Sequence, residues 1–81
     1  MTITVKLFAL LRDRAGAAET TLELRDGASV ADAAAALGQK FPAIADFLPR
    51  TAFAVNQSYV SKTEILHAGD ELALIPPVSG G

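Results

Sequence analysis

The chain has 81 residues, a net charge of −2 and 51% hydrophobic side chains, which sets a single small globular domain rather than a disordered segment. It has no cysteine, which excludes a disulfide framework, a thiolate metal site and a cysteine nucleophile. Its seven basic residues are scattered without a basic stripe, its apolar runs are too short to span a bilayer, and its first residues lack a signal-peptide pattern; nucleic acid and membrane are therefore not expected as partners, and a cytoplasmic location is expected.

Residues 2–9 alternate, with Ile3, Val5, Leu7 and Ala9 on one side and Thr2, Thr4, Lys6 and Phe8 on the other, the pattern of a half-buried strand. Leu10 to Ala18, with Arg12-Asp13-Arg14 and Gly16, reads as a connecting loop with room for a helical turn. Thr20, Leu22 and Leu24 alternate with Glu19, Thr21, Glu23 and Arg25, predicting a second strand antiparallel to the first. Asp26-Gly27 marks a turn. Ser29 followed by Asp32 has capping-box spacing, and Val30, Ala34, Leu37 and Phe41 then recur at helical intervals. The helix is expected from about Val30 to Lys40, stopped by Gly38 and Phe41-Pro42. Ile44, Phe47 and Leu48 form a short apolar cluster before Pro49. Ala52–Val55 is predicted as a strand, Asn56-Gln57 as a turn into Tyr59-Val60, and Lys62 to His67 as irregular. Ala68-Gly69-Asp70 turns into a last strand, Glu71 to Ile75. The expectation is an α+β fold with one helix on one face of the sheet.

Parity separates Phe8 from Ile3, Val5 and Leu7, and Ile75 from Leu72 and Leu74. If the first and last strands are neighbours, Phe8 and Ile75 meet on the helix-free face, with Tyr59 beside them, either as isolated exposed residues or as a docking patch. Beyond Ile75 the chain reads Pro76-Pro77-Val78-Ser79-Gly80-Gly81. Prolines stiffen this tail, two glycines leave its end slender, and extended it reaches roughly 20 Å. No side-chain constellation for catalysis, metal binding or phosphate cradling is present, and the lone His67 reads as a solvated loop residue. The α-carboxylate is the one group left with plausible chemistry. Ionised at neutral pH, it is a poor electrophile until activated, most simply as an acyl-adenylate.

Three segments carry a resemblance to a known family: Val5-Lys6-Leu7-Phe8-Ala9-Leu10-Leu11-Arg12, Ala54-Val55-Asn56-Gln57-Ser58-Tyr59-Val60, and Gly69 through Gly81. Together they resemble the small, sulfur-carrying subunits of molybdopterin synthase. The resemblance implies a β-grasp, ubiquitin-like fold with a mixed sheet of four to five strands, the first and last parallel at its centre. It implies a domain over residues 1–75 and a flexible functional tail over 76–81. It also implies that Gly81 is adenylated with ATP by an enzyme of the ubiquitin-activating type, then converted to a thiocarboxylate by a sulfur donor protein. The tail Pro76, Pro77, Val78, Ser79, Gly80 and Gly81 would enter a large catalytic subunit, in a heterotetramer of two small and two large subunits. There the sulfur would build the dithiolene on cyclic pyranopterin monophosphate during molybdenum cofactor biosynthesis. On that resemblance Phe8, Tyr59 and Ile75 are the docking patch, with Arg12 a further interface residue. The chain would be a carrier without catalytic activity or a permanently bound cofactor. Sulfur carriers for thiamin or cysteine synthesis, and a ubiquitin-like protein modifier, share the Gly-Gly end and stay open as alternatives.

Overall fold

A computed structural model describes residues 1–77; Val78, Ser79, Gly80 and Gly81, on which much of the tail expectation rests, lie outside the described residues. Five strands form one mixed sheet: β1 (Thr2–Leu7), β2 (Glu19–Glu23), β3 (Ala52–Val55), β4 (Ser58–Val60) and β5 (Glu71–Ile75), in the order β2-β1-β5-β3-β4. β1 and β5 are parallel and the other neighbouring pairs are antiparallel. This is the β-grasp arrangement that the resemblance implies, with the first and last strands side by side at the centre.

The alternation in the sequence translates directly into sidedness. Ile3, Val5 and Leu7 of β1 and Leu72 and Leu74 of β5 are all essentially inaccessible to solvent. They pack with Leu22, Phe53 and the helix residues Val30, Ala33, Leu37 and Ile44 in one core. Full burial of a side chain of this size contributes about 1.5–3 kcal/mol, so the central pair alone supplies a large share of the stabilisation.

The main helix, α2 (Val30–Lys40), spans the predicted residues, and its start carries the reciprocal capping box read from Ser29 and Asp32. The Asp32 amide donates to Ser29 Oγ (3.2 Å), and the Ser29 amide donates to Asp32 Oδ2 (2.9 Å). Tertiary structure satisfies the other early donors: the Val30 amide bonds the Glu64 carbonyl (2.9 Å), and Ala31 bonds Lys62 (3.0 Å). The irregular segment after β4 is thus pinned to the helix start, which needs partners for its first amides. Leu66 from this segment is buried, and its amide bonds the Ala28 carbonyl at 2.8 Å.

Four expectations need correction. The strand read over residues 2–9 ends at Leu7, and Ala9, expected on the inner side with Ile3, Val5 and Leu7, is exposed and opens a helix, because its positive φ turns the chain away from the sheet. Leu10 to Ala18 is not mainly loop: Ala9–Ala15 is a helix, α1, with Leu11 fully buried and Gly16 at φ 75° closing it. A seven-residue helix offers too few turns for its periodicity to stand out, and only core contact stabilises it. Gly38 does not stop α2, which runs two residues further. A Cβ at Gly38 would lie 3.3 Å from Leu48 Cδ1, so the glycine serves close packing of the next element against the helix. That element, Pro42–Arg50, is a 3₁₀ helix with Ile44 and Leu48 buried, and Pro49 sits inside it rather than breaking the chain before it.

Ser29→Ala is expected to lower stability by about 1 kcal/mol, measured as a shift of the urea midpoint at unchanged slope. The hydrogen bond from the Ser29 amide, aided by the nearby Arg25 charge and the Ser29 hydroxyl and opposed by desolvation, holds the Asp32 carboxyl below its ordinary value of 3.8. A depressed folded-state pKa stabilises fully above the unfolded value and is lost as pH falls through the folded one. The stability difference between wild type and Asp32→Asn should therefore be constant at neutral pH and shrink on acidification below about 3.8 in urea titrations.

Candidate docking site at the root of the tail

The helix-free face is divided by composition. Thr2, Thr4 and Lys6 of β1 and Glu19, Thr21 and Glu23 of β2 make one half polar, whereas β5, β3 and β4 place Ala73, Ile75, Ala54 and Tyr59 on the other. Register aligns one row across four strands: Lys6 pairs with Ala73, Ala73 with Ala54, and Ala54 with Tyr59. Two alanines in the middle of that row, flanked by longer side chains, produce a depression. It measures about 500 Å³ and is lined by Lys6, Phe8, Ala54, Gln57, Tyr59, Glu71, Ala73 and Ile75.

Each wall has a local cause. Phe8 directly follows β1 in extended backbone (φ −123°, ψ 152°), so strand parity carries its ring to the outer face. Ala9 then takes φ 48°, a left-handed conformation that costs an alanine about 1–2 kcal/mol, and swings the chain into α1. Phe8 is left 44% exposed, although its neighbour Leu7 is buried. Tyr59, 72% exposed, is held by the β3–β4 hairpin, whose Asn56 and Gln57 both take positive φ. Asn56 also bonds Asp70 Oδ1 through Nδ2 (3.0 Å) and accepts from the Glu71 amide (3.0 Å), fastening the hairpin to the start of β5. Ile75 ends β5, and Pro76 and Pro77 continue from it, all half-buried. At the opposite end, Lys6 and Glu71 form an ion pair at 3.5 Å, giving the groove a charged stop.

The structure thus brings Phe8, Tyr59 and Ile75 together around one depression at the base of the tail. Arg12 is not among its lining residues; it lies exposed on α1 with its Nε 3.7 Å from Asp13. Lys6, Ala54, Gln57, Glu71 and Ala73 also line the depression and were not picked out from sequence. The outward-facing alanines in central strands were the available signal, since alanine is depleted in strands, but only the register shows that they are adjacent. Gly80 and Gly81 lie outside the described residues.

A small β-grasp sheet with an apolar groove beside the exit of its last strand defines a ubiquitin-like protein. The profile of the ThiS family matches residues 5–81, and the chain belongs to that family. It is 45% identical over 83 aligned residues, covering both chains completely, to a Chlamydomonas reinhardtii protein named molybdopterin synthase sulfur carrier subunit. Among solved structures, SAMP1 from Haloferax volcanii superposes with a TM-score of 0.90 at 34% identity, covering all of both chains. A structure described as the complex of subunits 1 and 2 of molybdopterin-converting factor from Helicobacter pylori shares the fold, with a TM-score of 0.71 at 22% identity over all of both chains.

Phe8→Ala should change unfolding free energy by no more than about 0.5 kcal/mol, the range of an exposed site, in urea titrations. Leu74→Ala, on the inner face of β5 at the root of the same tail, should cost about 2–5 kcal/mol in the same measurement.

Proposed function

We propose that this chain is the sulfur-carrier subunit of a molybdopterin synthase. The observation that carries the reading is the apolar groove of Phe8, Tyr59 and Ile75 at the root of a Pro-Pro-Val-Ser-Gly-Gly end, in a chain matched over its full length by a relative with that name. The groove gives a partner a place to grip, and the segment from Pro76 gives it a thread to pull into a narrow site.

In this reading the Gly81 carboxylate attacks the α-phosphate of ATP in an adenylating enzyme of the ubiquitin-activating type, releasing pyrophosphate. Hydrosulfide supplied by a sulfur donor protein then attacks the acyl carbon and displaces AMP, leaving a thiocarboxylate and releasing a proton. The loaded tail enters a large catalytic subunit and delivers sulfur for the dithiolene of molybdopterin; the Helicobacter pylori neighbour, described as a complex of subunits 1 and 2, supports a two-subunit assembly. A heterotetramer of two small and two large subunits is part of the proposal. Gly80 and Gly81 suit this transfer because no side chain obstructs close approach of the backbone. Pro76 and Pro77 lower the ordering cost of insertion, since fixing an unrestricted residue costs about 1–2 kcal/mol. The chain contributes the cargo and the grip, and its partners contribute the catalysis.

A second reading has its own support. The Haloferax volcanii neighbour is a small archaeal modifier protein by name, and a modifier would join Gly81 to target lysines through an isopeptide bond. Mass spectrometry of the protein from its native cells separates the two. A carrier shows a mass gain equal to one oxygen replaced by sulfur, whereas a modifier shows a ladder of larger conjugates.

Deleting Gly81 should abolish dithiolene formation in the reconstituted synthase while leaving the thermal midpoint within about 1 °C of wild type, because β5 ends at Ile75. Full molybdopterin production by the truncated chain would overturn the assignment.

A further inference from the structure

The chain has four arginines, and they fall into two classes. Arg25 bonds Asp32 at 2.9 Å, and Arg12 lies 3.7 Å from Asp13. Arg14 and Arg50 have no carboxylate within 4.0 Å among the described residues, and Asp46, next to Phe47 in sequence, is no exception. Both instead stack on the same half-buried ring: their guanidinium carbons lie 5.6 Å and 5.8 Å from the centroid of Phe47. The ring quadrupole holds each cation in place while leaving its hydrogen-bond donors outward. Arg14 and Arg50 are themselves exposed.

Topology puts this pair at the end of the domain where the tail departs. α1 leaves the sheet from the end of β1, whose Leu7 pairs with Leu74. The 3₁₀ helix returns to the sheet at β3, whose first residue Ala52 pairs with Ile75. Arg14 lies in the last turn of the first of these helices, and Arg50 is the last residue of the second. A protein that grips the described root of the tail, Ile75 to Pro77, approaches the domain from this end.

We propose that Arg14 and Arg50, braced on Phe47, form a second docking point for an acidic loop, rich in aspartate and glutamate, on the catalytic subunit that receives the tail; this rests on the carrier reading above. Two exposed guanidinium groups held on one ring, without a carboxylate partner among the described residues, make a local positive site in a chain of net charge −2 and leave donors for an anion. Paired planar donors suit carboxylates, which they bind in bidentate fashion. The apolar groove supplies contact area, whereas the arginine pair supplies orientation and speeds encounter.

The test is stopped-flow association of the full chain with the recombinant large subunit from the same source, across a range of ionic strength. Double charge reversal, Arg14→Glu with Arg50→Glu, should slow association about tenfold at low salt, with the difference closing as salt rises. The milder Arg14→Gln with Arg50→Gln keeps the test available if the reversed protein misfolds, and should slow association about threefold with a shallower salt dependence. Variant association equal to wild type at every salt concentration overturns the docking point alone. An equal loss at all salt concentrations also overturns it, by assigning the pair to packing around Phe47. Failure of the wild-type chain to bind the large subunit overturns the carrier reading as well.

Discussion

The parallel pairing of β1 with β5 is the constraint from which the rest of this structure follows. It joins the two ends of the chain at the centre of the sheet, with Val5 opposite Leu72 and Leu7 opposite Leu74, all buried. Because side chains alternate along a strand, fixing those four inward fixes Lys6, Phe8, Ala73 and Ile75 outward. A slip of one residue would reverse both sets, and the apolar core forbids it. The same pairing places the departure of the tail beside the start of α1, so the groove, the tail root and the arginine pair share one end of the domain.

Secondary features tighten that frame at its margins. The first amides of α2 bond carbonyls from residues 62 and 64, so a segment without regular structure becomes a strap across the sheet's partner helix. Asn56 fastens the β3–β4 hairpin to β5 and so fixes the position of Tyr59 over the groove. α1 and the 3₁₀ helix close the side of the core that α2 leaves open, with Leu11, Ile44 and Leu48 buried beneath them. Recognition surfaces here are by-products of core packing: a side chain that faces outward from a rigid strand is already positioned for a partner, with little ordering left to do on binding.

The division of labour between the body and the tail has a chemical basis. Among the described residues no group of three metal-ligating side chains comes together, and no helix is long and apolar enough to cross a membrane. The body offers shape and charge; in the proposed carrier reading the reactive group is the carboxylate of Gly81.

Much of this was legible in the sequence wherever the signal was local. Alternation in residues 71–75, the Ser29–Asp32 capping box and the Asn56-Gln57 turn each depend on neighbours within a few positions, and the corresponding elements form as read; the strand read over residues 2–9 forms over 2–7 only. Parity alone sent Phe8 and Ile75 to the outer face. What sequence could not contain was adjacency. α1 is too short to announce itself, and Gly38 looks like a helix stop until Leu48 is seen 3.3 Å from where its Cβ would be. Ala54 and Ala73 are unremarkable small residues until register lays them side by side as the floor of a groove. Arg14 and Arg50 lie far apart in the chain and meet only on Phe47. Local periodicity determined which way each side chain faces; the long-range pairing of the first strand with the last decided which side chains face a partner together.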